Sequence, residues 1–391
     1  MQFEAGAWGI LKAVNDAFVN PLLLLGGAGS LALGIYNSGA NLFGFGSGWL
    51  GPRLAGRVGS SGKTVLLCLT FARTVFAALV AYLLLAHQVR ATVIIPLVFL
   101  WGIGEGLALP LWTSFIAGLV GAGERGRWLA ARGTAATLST IPVMVGVVLL
   151  FLFASKERAL PLAYGVAAVA GVGSLFLVRR LLRLAGSQPV PPARSVHSLP
   201  PDPAARRFLG GVFVFWFGSA LAWPVLPRYI INDLHAPTAY FAVSQLIAAV
   251  AGVIVQRRWG RLSDESGPTK VLLLSGIGAS IVPVLWAVVP FFWLGFGVDV
   301  IAQSAWPGHM LGLTLRSVEL AGRESERASL LGWTNLAQGG GACISPLLAS
   351  IAVSHTGTVP ILLLSGGLRF LGIFVLTGFA LKRPRLARLP G

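Results

Sequence analysis

Charge is what this sequence has least of. Of its 391 residues, 11% are Asp, Glu, Lys or Arg, and only 13 are acidic. Soluble chains average about 25% charged residues, so a water-solvated globular surface of this size is excluded. Residues 133–155, 159–178, 208–227, 271–298 and 328–368 carry no formal charge at all. A bilayer core about 30 Å thick takes roughly 20 apolar residues at about 1.5 Å each. The first four stretches fit one span apiece, and the fifth needs two spans with a turn between them.

Other absences narrow the field. There are two cysteines, Cys68 and Cys343, both in apolar runs. That excludes a disulfide framework and a CxxC-type metal site, and leaves small apolar packing roles. No phosphate-binding G-x-x-x-x-G-K-[ST] loop occurs: Gly62-Lys63-Thr64 comes nearest, with Arg57 where the first glycine belongs. ATP hydrolysis is therefore not expected. The first eight residues hold Glu4 and no basic residue, so they lack the basic head of a cleaved signal and the first span is expected to be retained.

What is present is apolar. The chain is 55% hydrophobic, with a mean hydropathy of +0.79. Windowing predicts spans near 6–26, 29–51, 64–86, 92–119, 133–154, 159–178, 208–230, 236–256, 270–290, 292–315, 328–352 and 358–381. The net charge of +17 invites a nucleic-acid reading, but the basic residues punctuate the spans instead of forming one patch. With the N-terminus placed inside, the inner segments hold 23 of the Lys and Arg residues and the outer ones 4: Arg90, Lys156, Arg158 and Arg228. The positive-inside rule then puts both ends in the cytoplasm and makes the span number even. No nucleic-acid partner is needed.

The stretch 184–207, LAGSQPVPPARSVHSLPPDPAARR, differs in kind. Its prolines mark a flexible or extended polar linker. It divides the chain into a first bundle over 1–183 and a second over 208–391. A weak repeat relates the two. Arg53-Leu-Ala-Gly-Arg-Val-Gly59 follows span two, and Gly260-Arg-Leu-Ser-Asp-Glu-Ser-Gly267 follows span eight. Glu-Arg elements follow spans four and ten, at Gly123–Arg127 and Arg323–Arg327.

At these residues the sequence resembles the major facilitator superfamily, whose turn after spans two and eight reads G-x-L-[AS]-D-[RK]-x-G-[RK]-[RK]. Gly260, Leu262, Ser263, Asp264 and Gly267 match. The first-half copy matches at Leu54, Ala55, Arg57 and Gly59, with Gly56 in the Asp position, and Arg125-Gly-Arg127 is similar to the family's loop between spans four and five. Val98 stands where many proton-coupled members carry Arg, and Thr140-Ile-Pro142 replaces the Gly-Pro signature of drug antiporters. The resemblance implies an all-α fold of twelve transmembrane helices in two pseudo-symmetric six-helix halves. It further implies a central cavity lined by spans one, four, seven and ten, and a monomer.

A charge at the bilayer centre costs about 2.5–3.5 kcal/mol, so intramembrane polar residues are the candidate site. Asp16 in span one lies four residues from Lys12: it is either a solute or proton contact or one member of a local pair. Asn15 is its neighbour. Glu105 in span four sits among Gly102, Gly104 and Gly106, which admit a close helix and bury it, and a buried carboxyl suits proton carriage. Asp299, Gln303, Trp306 and His309 in span ten fall roughly on one face. Arg73 in span three is a candidate partner for a carboxylate, and Arg369 in span twelve a structural one. Trp216 and Trp223 in span seven share a face and offer an aromatic wall for a lipophilic or cationic ligand, or simply packing. Asp264, Arg261, Gly260, Gly267, Arg57, Arg125 and Arg127 form a candidate cytoplasmic gate that latches one half to the other.

The leading expectation is a secondary transporter of a small organic solute in the cytoplasmic membrane. It is proton-coupled, with export the default direction, protons and membrane lipids as partners, and no cofactor. A uniporter or uptake carrier and a lipid transporter of the same fold are the alternatives. A channel or sensor lacks a reason for the gate motif. A membrane-embedded enzyme needs a convergent catalytic set, yet the five His lie far apart at 87, 197, 235, 309 and 355.

Overall fold

The computed structural model describes residues 2–58, 60–86, 88–119, 125–185, 202–321 and 324–378. Twelve long helices run through them: α1 (Gln2–Leu25), α2 (Ser30–Val58), α3 (Ser61–Leu85), α4 (Ala91–Leu119), α5 (Arg125–Phe153), α6 (Lys156–Ala185), α7 (Pro203–Arg228), α8 (Ala239–Ser266), α9 (Pro268–Val288), α10 (Gly295–Ala321), α11 (Glu324–Thr356) and α12 (Thr358–Thr377). A π turn at Tyr229–Asp233 extends α7, and a single 3-10 turn at Phe292–Leu294 precedes α10. A lone helix satisfies its own backbone, which is why apolar spans of this length become helices where no water can pair with them. Among the described residues nine helices are long and apolar enough to cross a membrane. Those of α1, α2 and α10 do not count. In α1 and α10 the cause is polar content, namely Lys12 and Asp16, and Asp299, Gln303, His309, Arg316 and Glu319.

Local signals set several helix ends. Ser60 caps α3 by accepting from the Lys63 N–H at 3.4 Å. Asp202 caps α7 by accepting from the Ala204 N–H at 3.0 Å, with Pro203 at the first helical position. Helix α7 therefore begins inside the stretch read as linker, and α6 runs on to Ala185. Gly267 and Gly357, at φ 81° and 80°, make the tight turns α8–α9 and α11–α12 in a backbone conformation that L side chains resist.

Helices α1 to α6 pack into one body around Phe18, Phe76, Ile94 and Tyr164. Helices α7 to α12 form the other around Phe208, Phe215, Leu272 and Ile373. Small residues bring the helices close. A Cβ at Gly104 would meet the Cys68 carbonyl and the Ala72 Cβ of α3 at 2.9 Å each, and one at Gly372 would meet the Phe215 backbone at 2.5 Å.

The two bodies meet where α2 packs on α11 and α5 on α8. The contact lies toward the end of the bundle where α2 begins. There the Ser38 hydroxyl accepts from the Leu347 N–H at 3.0 Å, and Arg228 donates to the Ser30 hydroxyl. Gly34 lies so near Pro346 and Ser350 that a Cβ would stand 2.4 Å from the Ser350 hydroxyl oxygen. Ala242 of α8 is fully buried in the first body's core.

Candidate functional site

The strongest polar constellation lies inside the first body. Gly104 lets α4 approach α3, and that approach sets Glu105 beside Arg73. Arg73 is buried, and its guanidinium reaches three groups: the Glu105 carboxylate, the Gly171 carbonyl at 3.0 Å and the Ser174 hydroxyl at 3.2 Å. The Trp8 indole N–H donates to the second Glu105 oxygen at 3.1 Å. Glu105 thus has both oxygens occupied, one by a cation and one by a neutral donor. The expectation that Arg73 partners a carboxylate holds in this geometry, and the carboxylate is Glu105.

A second pair stands next to the first. The Arg132 guanidinium donates to both Glu4 oxygens, at 3.1 and 3.2 Å, and lies over the Trp8 ring at 5.7 Å. Trp8 therefore touches both pairs, through its N–H to Glu105 and its π face to Arg132. Glu4, Trp8, Arg73, Glu105, Arg132 and Ser174 line one cavity, closed on its apolar side by Leu69, Trp112 and Val178. It has room for about one water.

The sequence reading missed Glu4, Trp8 and Arg132. Glu4 was taken only as a mark against a signal peptide, and Arg132 was counted with the loop, although α5 already begins at Arg125. A signal was there. Glu4, Trp8, Lys12 and Asp16 recur every four residues, and each step of four turns a helix by about 40°. That drift separates the buried Glu4 contact and Trp8 from the half-exposed Lys12 and Asp16. The latter two form a local pair at 2.6 Å with both side chains 45% exposed. Asn15 beside them is buried.

In the second body the four residues of α10 separate. Asp299 accepts from the Tyr240 hydroxyl of α8 at 2.5 Å, and Tyr240 stacks on Phe296 at 4.7 Å between ring centroids. His309 points elsewhere: it is fully buried, stacked on Phe215 of α7 at 4.0 Å and near Trp306 at 5.8 Å. Neither ring nitrogen has a hydrogen-bond partner among the described residues. Gln303 is half-buried between them. The shared face predicted for these residues therefore spreads over two neighbours, because Asp299 and His309 stand ten residues and about 80° apart. Trp216 packs edge-on against Trp306 at 5.3 Å and Trp223 at 6.2 Å, which does bring the three indoles together. Arg369 is buried and donates to the Ala279 and Ser219 carbonyls at 2.8 and 3.2 Å, joining α12 to α9 and α7 as a structural tie.

The candidate gate is open to solvent where it is described. Asp264, Arg261 and Arg57 are exposed, and Asp264 and Arg261 make no ion pair among the described residues. Gly260 has open space around it, and Gly267 makes the turn. The side chains of Arg125 and Arg127 lie outside the described residues. No group of three His, Cys, Asp or Glu suited to a metal occurs among the described residues.

Fold comparison covers nearly the whole chain. The crystal structure of a POT family transporter in complex with 5-aminolevulinic acid superposes with a TM-score of 0.76, covering 97% of this chain and 95% of that one at 13% identity. A D-xylose-proton symporter gives 0.68 at 16% identity, covering 96% and 95%. The nucleoside transporter NupG gives 0.68 at 12%, covering 98% and 99%. Residues 208–390 match the family model of the Major Facilitator Superfamily. That match covers the second half of the chain, and the likeness to the solved structures extends the same fold over the whole of it. Among curated relatives, Multidrug resistance protein MdtG of Serratia proteamaculans (strain 568) is 28% identical over 196 residues, and that of Proteus mirabilis (strain HI4320) 25% over 191. These matches span 45% and 46% of the length of those two proteins. Every one of these neighbours is named for transport or drug resistance, and none for an enzymatic reaction. The chain is thus a multi-pass membrane protein of a transporter fold.

Proposed function

We propose that this protein is a secondary transporter that exports a small organic solute across the cytoplasmic membrane, and that it couples the movement to a proton carried by Glu105. The observation that carries this reading is the Glu105 carboxylate itself, set on an apolar helix between the guanidinium of Arg73 and the indole N–H of Trp8. Such a group is costly in a membrane, and an ion pair at a helix contact has two states: closed when the acid is ionised, released when it is protonated. Release frees Arg73, which also ties α3 to α6.

Three further observations support the reading. The Lys and Arg distribution favours both ends inside, which makes the α2–α11 seam the outer end. Closure there, with Asp264 and Arg261 making no ion pair among the described residues at the opposite end, fits an inward-facing member of an alternating-access cycle. The names of the curated relatives favour export of organic compounds. The Trp216, Trp223 and Trp306 cluster, on two helices that the family uses to line its cavity, provides an aromatic wall for an apolar or cationic solute.

The test uses liposomes with a trapped pH dye, challenged with pooled metabolites and lipophilic cations, for the wild type and for Glu105→Gln, Asp16→Asn and Asp299→Asn. Solute-dependent proton movement that disappears in Glu105→Gln is expected. Solute flux without proton movement, unchanged in Glu105→Gln, refutes the coupling and leaves a uniporter or solute exchanger.

A further inference from the structure

The second ion pair of the first body has no part in that scheme, yet its position gives it one. Glu4 lies in the first turn of α1 and Arg132 in the second turn of α5, both at the end of the bundle that the basic residues assign to the cytoplasm. Glu4 is itself almost fully buried, whereas the Arg132 side chain is 19% exposed and stands at the mouth. Behind them the cavity runs past Trp8 to Glu105. Every helix around the cavity contributes: α1 gives Glu4 and Trp8, α3 Arg73, α4 Glu105, α5 Arg132, and α6 the uncharged Ser174 and the Gly171 carbonyl. Two carboxylates and two guanidiniums alternate, so the charges balance with both acids ionised.

We propose that Glu4 is the cytoplasmic exit station for the proton that Glu105 carries, with a water in the cavity between them passing it to the inner mouth; this rests on the reading of Glu105 given above. The transfer balances. Glu105 gives its proton to the cavity water, which gives one of its own to Glu4, and Glu4 hands it to a water at the inner mouth as hydronium; an acidic bath drives the same steps backward. Only O–H bonds change. Glu4 ends as the carboxylate held by Arg132 and Glu105 as the carboxylate that regains Arg73, whereas the neutral Glu105 keeps the Trp8 N–H while its grip on Arg73 is lost. The indole N–H only donates, so Trp8 is a positioning residue that holds the two stations in register.

The experiment needs no solute. The purified full chain in lipid nanodiscs is taken rapidly from alkaline to acidic buffer, and the carboxyl stretch is followed by infrared spectroscopy. The Glu105 band is the one absent in Glu105→Gln. In Glu4→Gln it is expected to appear more slowly by about ten-fold or more, since a positioned proton donor is worth on the order of a hundred-fold in rate. Glu4→Asp, a milder change that keeps the acid, is expected to slow it by about three-fold, which keeps the idea testable if the Gln variant does not fold. An unchanged rate in both variants overturns the exit station and leaves Glu105 as carrier. If Glu105→Gln removes no band at any pH, the carrier reading fails and the exit station fails with it.

Discussion

Removing one member of the Arg73–Glu105 pair should harm the protein far more than removing both. Arg73 is buried and Glu105 nearly so, and the pair is tied to α1 and α6 by Trp8, Gly171 and Ser174. Glu105→Leu leaves a buried guanidinium with a carbonyl and a hydroxyl but no counter-charge. Arg73→Met leaves a carboxylate with the Trp8 N–H alone. Breaking a buried pair in this way costs about 3–5 kcal/mol. The double replacement removes both charges and leaves a well-filled apolar contact, which for buried pairs is often close to neutral. The double-mutant cycle should therefore show a coupling energy close to the sum of the two single costs, about 6–10 kcal/mol, with the double variant more stable than either single. The assay is reversible unfolding in mixed detergent micelles, followed by tryptophan fluorescence. Singles within about 0.5 kcal/mol of wild type, or a double variant as damaged as the sum of the singles, would falsify the geometry on which the coupling mechanism rests.

Three further outcomes follow from single contacts. Gly34→Val places branched carbons against Ser350 and Pro346, so it should pry open the α2–α11 seam; a cysteine pair at positions 38 and 347 should then cross-link several-fold less, and undiminished cross-linking would show that the seam is not the closed gate. Tyr240→Phe removes the 2.5 Å hydroxyl donor of Asp299 and leaves Ser244 as its hydrogen-bond partner, so it should cost about 1 kcal/mol, measured by the same unfolding assay, whereas an unaltered stability would mean that Ser244 alone satisfies Asp299. Asp16→Asn breaks a half-exposed i,i+4 pair worth no more than about 1 kcal/mol; stability should barely move, so a loss of transport in that variant reports on function and not on folding, and intact transport assigns the pair to insertion alone.

The architecture was legible because the membrane makes it so. Where water is absent, a helix is the only way for a single segment to satisfy its backbone, and charge-free stretches such as 133–155 and 208–227 announce one each. The acid proposed as the carrier was legible for the same reason: Glu105 stands out among glycines in an apolar run. The helix starts were not. Arg132 and Arg207 were read as loop because basic residues flank spans, but a helix can run past the apolar region, and α5 and α7 both do.

Partnership is the part that composition leaves undecided. Arg73 and Glu105 are 32 residues apart and Glu4 and Arg132 128 apart, so neither pairing follows from spacing. The Lys12–Asp16 pair did, because both residues sit on one helix one turn apart. The sequence by itself determined that this chain is a membrane protein of twelve long helices and which residues are too costly in a bilayer to be there without cause. The tertiary structure decided which of those residues meet. Gly104 lets α3 and α4 close on each other, α1 joins Trp8 to Glu105 while it leaves Asp16 paired with Lys12, and the second half sends Asp299 to Tyr240 and His309 to Phe215. Hydrophobic transfer depends on composition and therefore shows in one dimension, while ion pairing depends on the few ångströms between helices that only packing sets.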